Sequence, residues 1–161
     1  MSQKDIYLVT CGETRPGPNP GMTKEGLAAV QALRRLLPAE PSAVICGTGH
    51  RHREVAAALG LDPNRYSILA GTADKLEGDH VEGKIIIADG TRIPAHAESS
   101  SHDIASAVHN LIRALPHNTI VCTDESFLRA LGNAGYWIDI APATAYKITV
   151  DHGGHVNITK R

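Results

Sequence analysis

Ile6-Tyr7-Leu8-Val9-Thr10-Cys11-Gly12-Glu13-Thr14 is the stretch from which the rest of this chain is best read. Four consecutive apolar, β-favouring residues, Ile6 to Val9, predict a strand buried on both faces, ended by the glycine and polar residues that follow. Strands of that kind belong in parallel sheets, where helices cover both faces. The next loop, Arg15-Pro16-Gly17-Pro18-Asn19-Pro20-Gly21, cannot be helix or central strand, because its prolines fix φ and remove backbone donors. Thr23 then stands as an N-cap before Leu27, Val30, Leu33, Leu36 and Leu37 at helical spacing, with Pro38 past the end. The order is strand, loop, helix.

That order repeats. Ala43-Val44-Ile45-Cys46 predicts a second buried strand, Gly47-Thr48-Gly49 a turn, and Arg51 to Leu59 a helix closed by Gly60. Tyr66 to Leu69 predicts a third strand, and Lys84 to Ala88 with Thr91-Arg92-Ile93 a hairpin on Asp89-Gly90. Ser100 or Ser101 caps a helix carrying Ile104, Val108, Leu111, Ile112 and Leu115, which Pro116 stops. Thr119 to Cys122 predicts another buried strand, feeding a short helix from about Ser126 to Leu131. Tyr146 to Val150 and Val156 to Thr159 close the chain as a hairpin. Strands alternating with helices imply an α/β fold with a mainly parallel sheet.

The chain has 161 residues, of which 42% are hydrophobic and 20% charged, with a formal net charge of −1. This fits one globular domain over 1–161, with enough apolar matter for a core. So balanced a charge gives no general attraction to nucleic acid or to an anionic membrane. No apolar run approaches the roughly 18 residues of a membrane span, and the polar start has no signal-peptide core, so a cytoplasmic protein is expected. Three cysteines without C-x-x-C spacing suit a reducing compartment better than a disulfide framework.

In open parallel sheets, ligands bind beyond the carboxyl ends of the strands. Three such ends carry polar clusters here: Thr10 to Thr14, Cys46 to Arg53, and Cys122 to Ser126. On these residues the chain resembles the histidine phosphatase superfamily, the phosphoglycerate-mutase-like proteins. Residues 6–14 stand where that family has an apolar strand followed by Arg-His-Gly-Glu-Thr, and Met22-Thr23-Lys24-Glu25-Gly26-Leu27 is similar to its Leu-Thr-x-x-Gly segment. Val44-Ile45-Cys46-Gly47 with Arg51, Arg53, Glu54 and Ala56 resembles its Ser-Ser-Pro-x-x-Arg-x-x-x-Thr-Ala segment. Ile120 to Arg129 resembles the strand that ends in Ser-His-Gly-Gly-x-x-Arg. The likeness runs in order along most of the chain. It implies a three-layer α/β fold, phosphoglycerate-mutase-like, whose mainly parallel central sheet is flanked by helices.

The departures fall on the chemistry. The family's nucleophilic histidine corresponds to Cys11, its first pocket arginine to Thr10 and its second pocket histidine to Asp124, while its other arginine is matched by Arg51. Two arginines and two histidines that would cradle a phosphoryl group are reduced to one cation plus a carboxylate, a weaker and partly opposed field for a dianion. Asp124 is expected to pair with Arg51. The resemblance thus implies a degenerate member that binds an anionic, phosphorylated small molecule or a protein partner through Thr10, Cys11, Gly12, Arg51, Asp124 and Glu125. An active phosphomonoester hydrolase is the alternative, with Cys11 as nucleophile or a water activated by Asp124, and Arg51 as clamp. Cys11 is otherwise a small residue filling the space of a histidine. By resemblance, Glu77 and Glu82 are the candidates for general acid. A metal-binding protein is the second alternative, since Cys11, His50, His52 and Asp124 are metal-competent types on loops expected to converge, but their spacing is not diagnostic and neither metal nor cofactor is assigned. The remaining histidines, among them His117, His152 and His155, are expected to be solvated. Cys46 and Cys122 are expected to pack as small apolar groups at strand ends.

Overall fold

The computed structural model describes residues 3–17, 20–47, 50–61, 67–69, 84–86, 92–94, 112–113, 115–123, 125, 128, 132, 136 and 138–161. The first strand, β1, spans Lys4–Thr10, the second, β2, Ala43–Gly47, and the third, β3, Ser67–Leu69. The two short strands β4 (Lys84–Ile86) and β5 (Arg92–Pro94) pair antiparallel as a separate ribbon. Strand β6 covers Thr119–Thr123, and β7 (Ala145–Val150) and β8 (Val156–Lys160) form the closing hairpin. Six strands build one sheet in the order β3-β2-β6-β1-β7-β8. The four strands from β3 to β1 are parallel and β7 runs antiparallel to β1.

Burial follows from this order. All five residues of the central strand β6 are buried, as expected where helices cover both faces. Edge strand β8 alternates instead, with Val156 and Ile158 half-buried against the core and Asn157 and Thr159 exposed. Two apolar clusters lie on the two sheet faces. One gathers Ile6, Leu8, Val121, Tyr146, Ile148 and Val150 with Ile112, Leu115 and Leu128. The other gathers Val9, Ile120, Cys122, Cys46 and Ala145 with Met22, Val30, Val55 and Ala56. Alternate residues of β1 go to opposite clusters, the period of two that a strand imposes.

The helix α1 covers Lys24–Gln31 and α2 covers His50–Ala58. Thr23 caps α1: its hydroxyl accepts from the Gly26 N–H at 3.0 Å, and Glu25 lies in the first turn, favourable to the helix dipole. The period predicts helix to Leu37, but α1 stops at Gln31 and a 3-10 turn over Arg34–Leu36 continues the same apolar face. There Arg34 donates from both Nη atoms to the carbonyls of Pro38 and Ala39 at 2.9 Å, which curls the chain away. The end of α2 is a Schellman cap: Gly60 has φ of +75°, its N–H bonds Ala57, and the Leu61 N–H bonds the Ala56 carbonyl, each at 3.0 Å. The expected strands and hairpins are present where their residues are described, whereas the turn at Asp89-Gly90, most of the helix expected from Ser100 and most of that expected from Ser126 to Leu131 lie outside the described residues.

Candidate functional site at the carboxyl edge of the sheet

The parallel strands bring their carboxyl ends together as the candidate site requires. Thr10 is in register with Thr123, and Val9 with Cys122, which is itself in register with Cys46. Past β1, the Cys11 N–H bonds the Thr123 carbonyl at 2.9 Å, and the Cys11 carbonyl accepts from Ala143 at 2.9 Å. Cys11 is therefore tied into the sheet edge through its backbone. Its side chain is 8% exposed and belongs to the apolar cluster under α1 and α2.

Thr10 faces the other way. Its hydroxyl donates to the Ala141 carbonyl at 2.9 Å, with a longer contact of 3.3 Å to Thr144, and accepts from the Thr144 N–H at 3.0 Å. Thr10 is completely buried, so its polar atoms pin segment 141–144 to the end of β1. Tyr146 holds the same segment from the far side, donating to the Asp139 carbonyl at 2.8 Å and accepting from Ala141 at 2.9 Å. Burial raises the Tyr146 phenol above its ordinary pKa. The neighbouring Thr123 hydroxyl is buried with no hydrogen-bond partner among the described residues.

Gly12 and Gly26 are required by a crossing of backbones. A Cβ on Gly12 would come within 2.6 Å of the Gly26 backbone, and one on Gly26 within 2.4 Å of the Glu13 carbonyl oxygen. The two glycines let the loop after β1 lie directly on the first turn of α1. Thr23 secures this contact, since its N–H bonds the Glu13 carbonyl at 2.9 Å.

The first turn of α2 supplies the charge. Arg51 is 4% exposed and His52 fully buried, whereas His50 is exposed. Glu54 accepts from the Met22 N–H at 2.6 Å and lies 3.8 Å from His50, while the Met22 sulfur accepts from the Gly12 N–H at 3.1 Å. Glu54 and Met22 thus link α2 to the loop that carries Cys11 and Gly12. The His50-Glu54 spacing of four was visible in the sequence. The bond to a backbone N–H thirty-two residues earlier was not.

Cys46 and Cys122 face each other on adjacent strands, both buried. A hydrogen bond with the Cys46 thiol, together with burial, raises the Cys122 thiol well above its ordinary pKa and makes it a poor nucleophile, and both cysteines pack at strand ends as expected. Among the described residues, no group of three His, Cys, Asp or Glu side chains could hold a metal ion. Glu125 is half-buried in a helical position just after β6. Asp124, Glu77 and Glu82 lie outside the described residues. Among the described residues, no helix is long and apolar enough to cross a membrane.

No family model matches the chain, and no curated protein does. Solved structures do. A mycobacterial glucosyl-3-phosphoglycerate phosphatase, Rv2419c, superposes with a TM-score of 0.63 at 11% identity, covering 98% of this chain and 97% of that one. The protein TTHB049 from Thermus thermophilus gives 0.60 at 18% identity over 97% and 98% of the two chains. The product of the open reading frame Rv3214 from Mycobacterium tuberculosis gives 0.60 at 19% identity over 97% and 95%. At these identities the likeness establishes the fold, the phosphoglycerate-mutase-like α/β architecture, along essentially the whole of each chain.

Proposed function

We propose that, on this fold, the chain binds a phosphorylated small molecule at the carboxyl edge of its sheet and does not process it through a phosphohistidine. The observation that carries this reading is the placement of Arg51, a buried cation in the first turn of α2 at the same edge as Cys11. The amide dipoles at the start of α2 add to the pull of that guanidinium on a negative group. The fold likeness to a glucosyl-3-phosphoglycerate phosphatase supports a phosphoryl ligand.

The residues beside Arg51 support binding over turnover. Cys11 stands at the position that the resemblance assigns to the nucleophile, nearly buried within an apolar cluster. Thr10 stands where a second arginine would reach the phosphoryl group, with its hydroxyl occupied by segment 141–144.

Calorimetry with phosphate and vanadate, beside a phosphomonoester hydrolysis assay, tests the proposal. Measurable oxyanion binding is expected, weakened roughly tenfold or more by Arg51→Met, with neither acid-labile phosphoenzyme nor appreciable hydrolysis. Robust turnover abolished by Cys11→Ser would overturn it in favour of a thiol nucleophile. Binding indifferent to Arg51→Met would place the ligand elsewhere.

A further inference from the structure

We propose that the opposite, amino-terminal edge of the sheet carries a second site, for an organic phosphate whose doubly charged head is held by Lys4 and Arg113 and whose apolar body lies along Val150. A cavity of about 650 Å³ opens there. It falls within the size range of small-molecule sites. Its walls come from the start of β1 (Lys4), the helical residues before β6 (Arg113), the turn into β6 (His117), the end of β7 (Val150) and the hairpin turn beyond it (Asp151, Gly154).

Among the described residues, the charges that line this cavity do not cancel. Lys4 is half-buried, and its ammonium donates to the Arg113 carbonyl. Arg113 donates one Nη2–H to the Gly154 carbonyl at 2.9 Å. Neither cation is paired with a carboxylate among the described residues. Among the described residues, Asp151 is the one carboxylate in the wall, and its own turn occupies it: Oδ1 accepts from the N–H groups of Gly153 and His155, each at 2.9 Å, and Oδ2 lies 3.5 Å from His155 Nδ1. His117 is exposed, as expected, and also holds a backbone group. Its Nδ1 accepts from the Asp5 N–H at 3.0 Å, which places the neutral ring's proton on Nε2 and leaves a donor on a ring that lines the cavity.

Two cations, a fixed imidazole donor and an apolar wall match a phosphomonoester in charge and in shape. Partial burial pulls the Lys4 ammonium below its ordinary pKa, a cost that a bound dianion would offset. The site is independent of the Arg51 edge, because the start of β1 and the ends of the parallel strands lie at opposite sides of the sheet.

The test uses the full-length Arg51→Ala protein, in which the other edge is disabled, and the non-hydrolysable probe phenylphosphonate. Calorimetry is expected to show saturable binding, weakened at least tenfold when Lys4→Met and Arg113→Met are added, since methionine keeps the aliphatic stems and removes the charges. Methylphosphonate, lacking the apolar body, is expected to bind more weakly than phenylphosphonate. In the Arg51→Ala protein itself, phenylphosphonate is expected to shift the His117 ring nitrogen resonances, a readout that does not depend on how the added substitutions fold. Absence of saturable binding, unchanged affinity in the methionine variant, or an unmoved His117 resonance would each overturn the second site. Failure of the Arg51 reading would appear separately, as unchanged phosphate binding on Arg51→Met in the otherwise native protein.

Discussion

Replacing Thr10 by valine removes one hydroxyl and almost no volume, and so isolates the pin between β1 and segment 141–144. In the native protein that hydroxyl donates to Ala141 at 2.9 Å and accepts from Thr144 at 3.0 Å, and Thr10 is fully buried. Valine would leave the Ala141 carbonyl and the Thr144 N–H without their partner in a partly dry setting. An unsatisfied buried group costs about 1–3 kcal/mol, and Ala141 and Thr144 are only half-buried, so the lower part of that range applies to each and the total is about 2 kcal/mol. For a chain of this length the loss corresponds to a drop in Tm of roughly 4–8 °C. Urea unfolding followed by far-UV circular dichroism measures it. Tyr146→Phe releases the same segment from its other side, at Asp139 and Ala141. A segment freed at one pin has less to lose at the other, so the double variant should cost less than the two singles added together, by about 0.5 kcal/mol or more. A Thr10→Val change within about 0.5 kcal/mol of native, or strict additivity in the cycle, would refute the pinning argument.

Four further outcomes are expected. Gly26→Ala places a Cβ 2.4 Å from the Glu13 carbonyl oxygen and should cost more than about 3 kcal/mol, read by the same unfolding experiment; a mild effect would mean the backbones do not cross as described. Thr123→Val removes a buried hydroxyl that has no partner among the described residues and should be neutral or stabilising by up to about 1 kcal/mol, so a clear loss of stability on calorimetric melting would show that this hydroxyl is bound after all. Cys46 and Cys122 should resist alkylation by iodoacetamide in the native protein and react on unfolding, as mass spectrometry of the peptides would show; rapid native modification would contradict their burial and the raised Cys122 thiol. In an NMR titration Asp151 should ionise below the ordinary carboxylate value, because the N–H of His155 and then that of Gly153 favour its charged form. Its contribution to the β7–β8 turn is therefore present above the unfolded-state pKa and lost as pH falls through the depressed one, and a midpoint at or above the ordinary value would count against the turn geometry.

Local patterns determined most of the secondary structure, and with it the fold class. A run of apolar residues such as Ile6 to Val9, the Thr23 cap and the Gly60 stop depend on neighbours within a few positions, and those neighbours are in the sequence. Chain order was equally legible, because strands alternating with helices admit few topologies. The boundary at Gln31 was not, since the chain's curl there depends on where the Arg34 side chain finds its carbonyls.

The candidate site divides along the same line. The alignment of Cys11, Thr10 and Arg51 with a histidine and two arginines is an expectation drawn from residue order alone. What those residues do follows only from where the sheet places them. Pleating sends Thr10 and Cys11, adjacent in the chain, to opposite faces, so the hydroxyl meets segment 141–144 while the thiol enters the cluster under α1 and α2. The Glu54 bond to Met22, the facing of Cys46 with Cys122, and the meeting of Lys4 with Arg113 in one cavity join residues between thirty-two and more than a hundred positions apart. Such contacts carry no local signature. They exist only once the register of the parallel strands has set which residues lie side by side, and that register is decided by packing of the whole sheet against its helices.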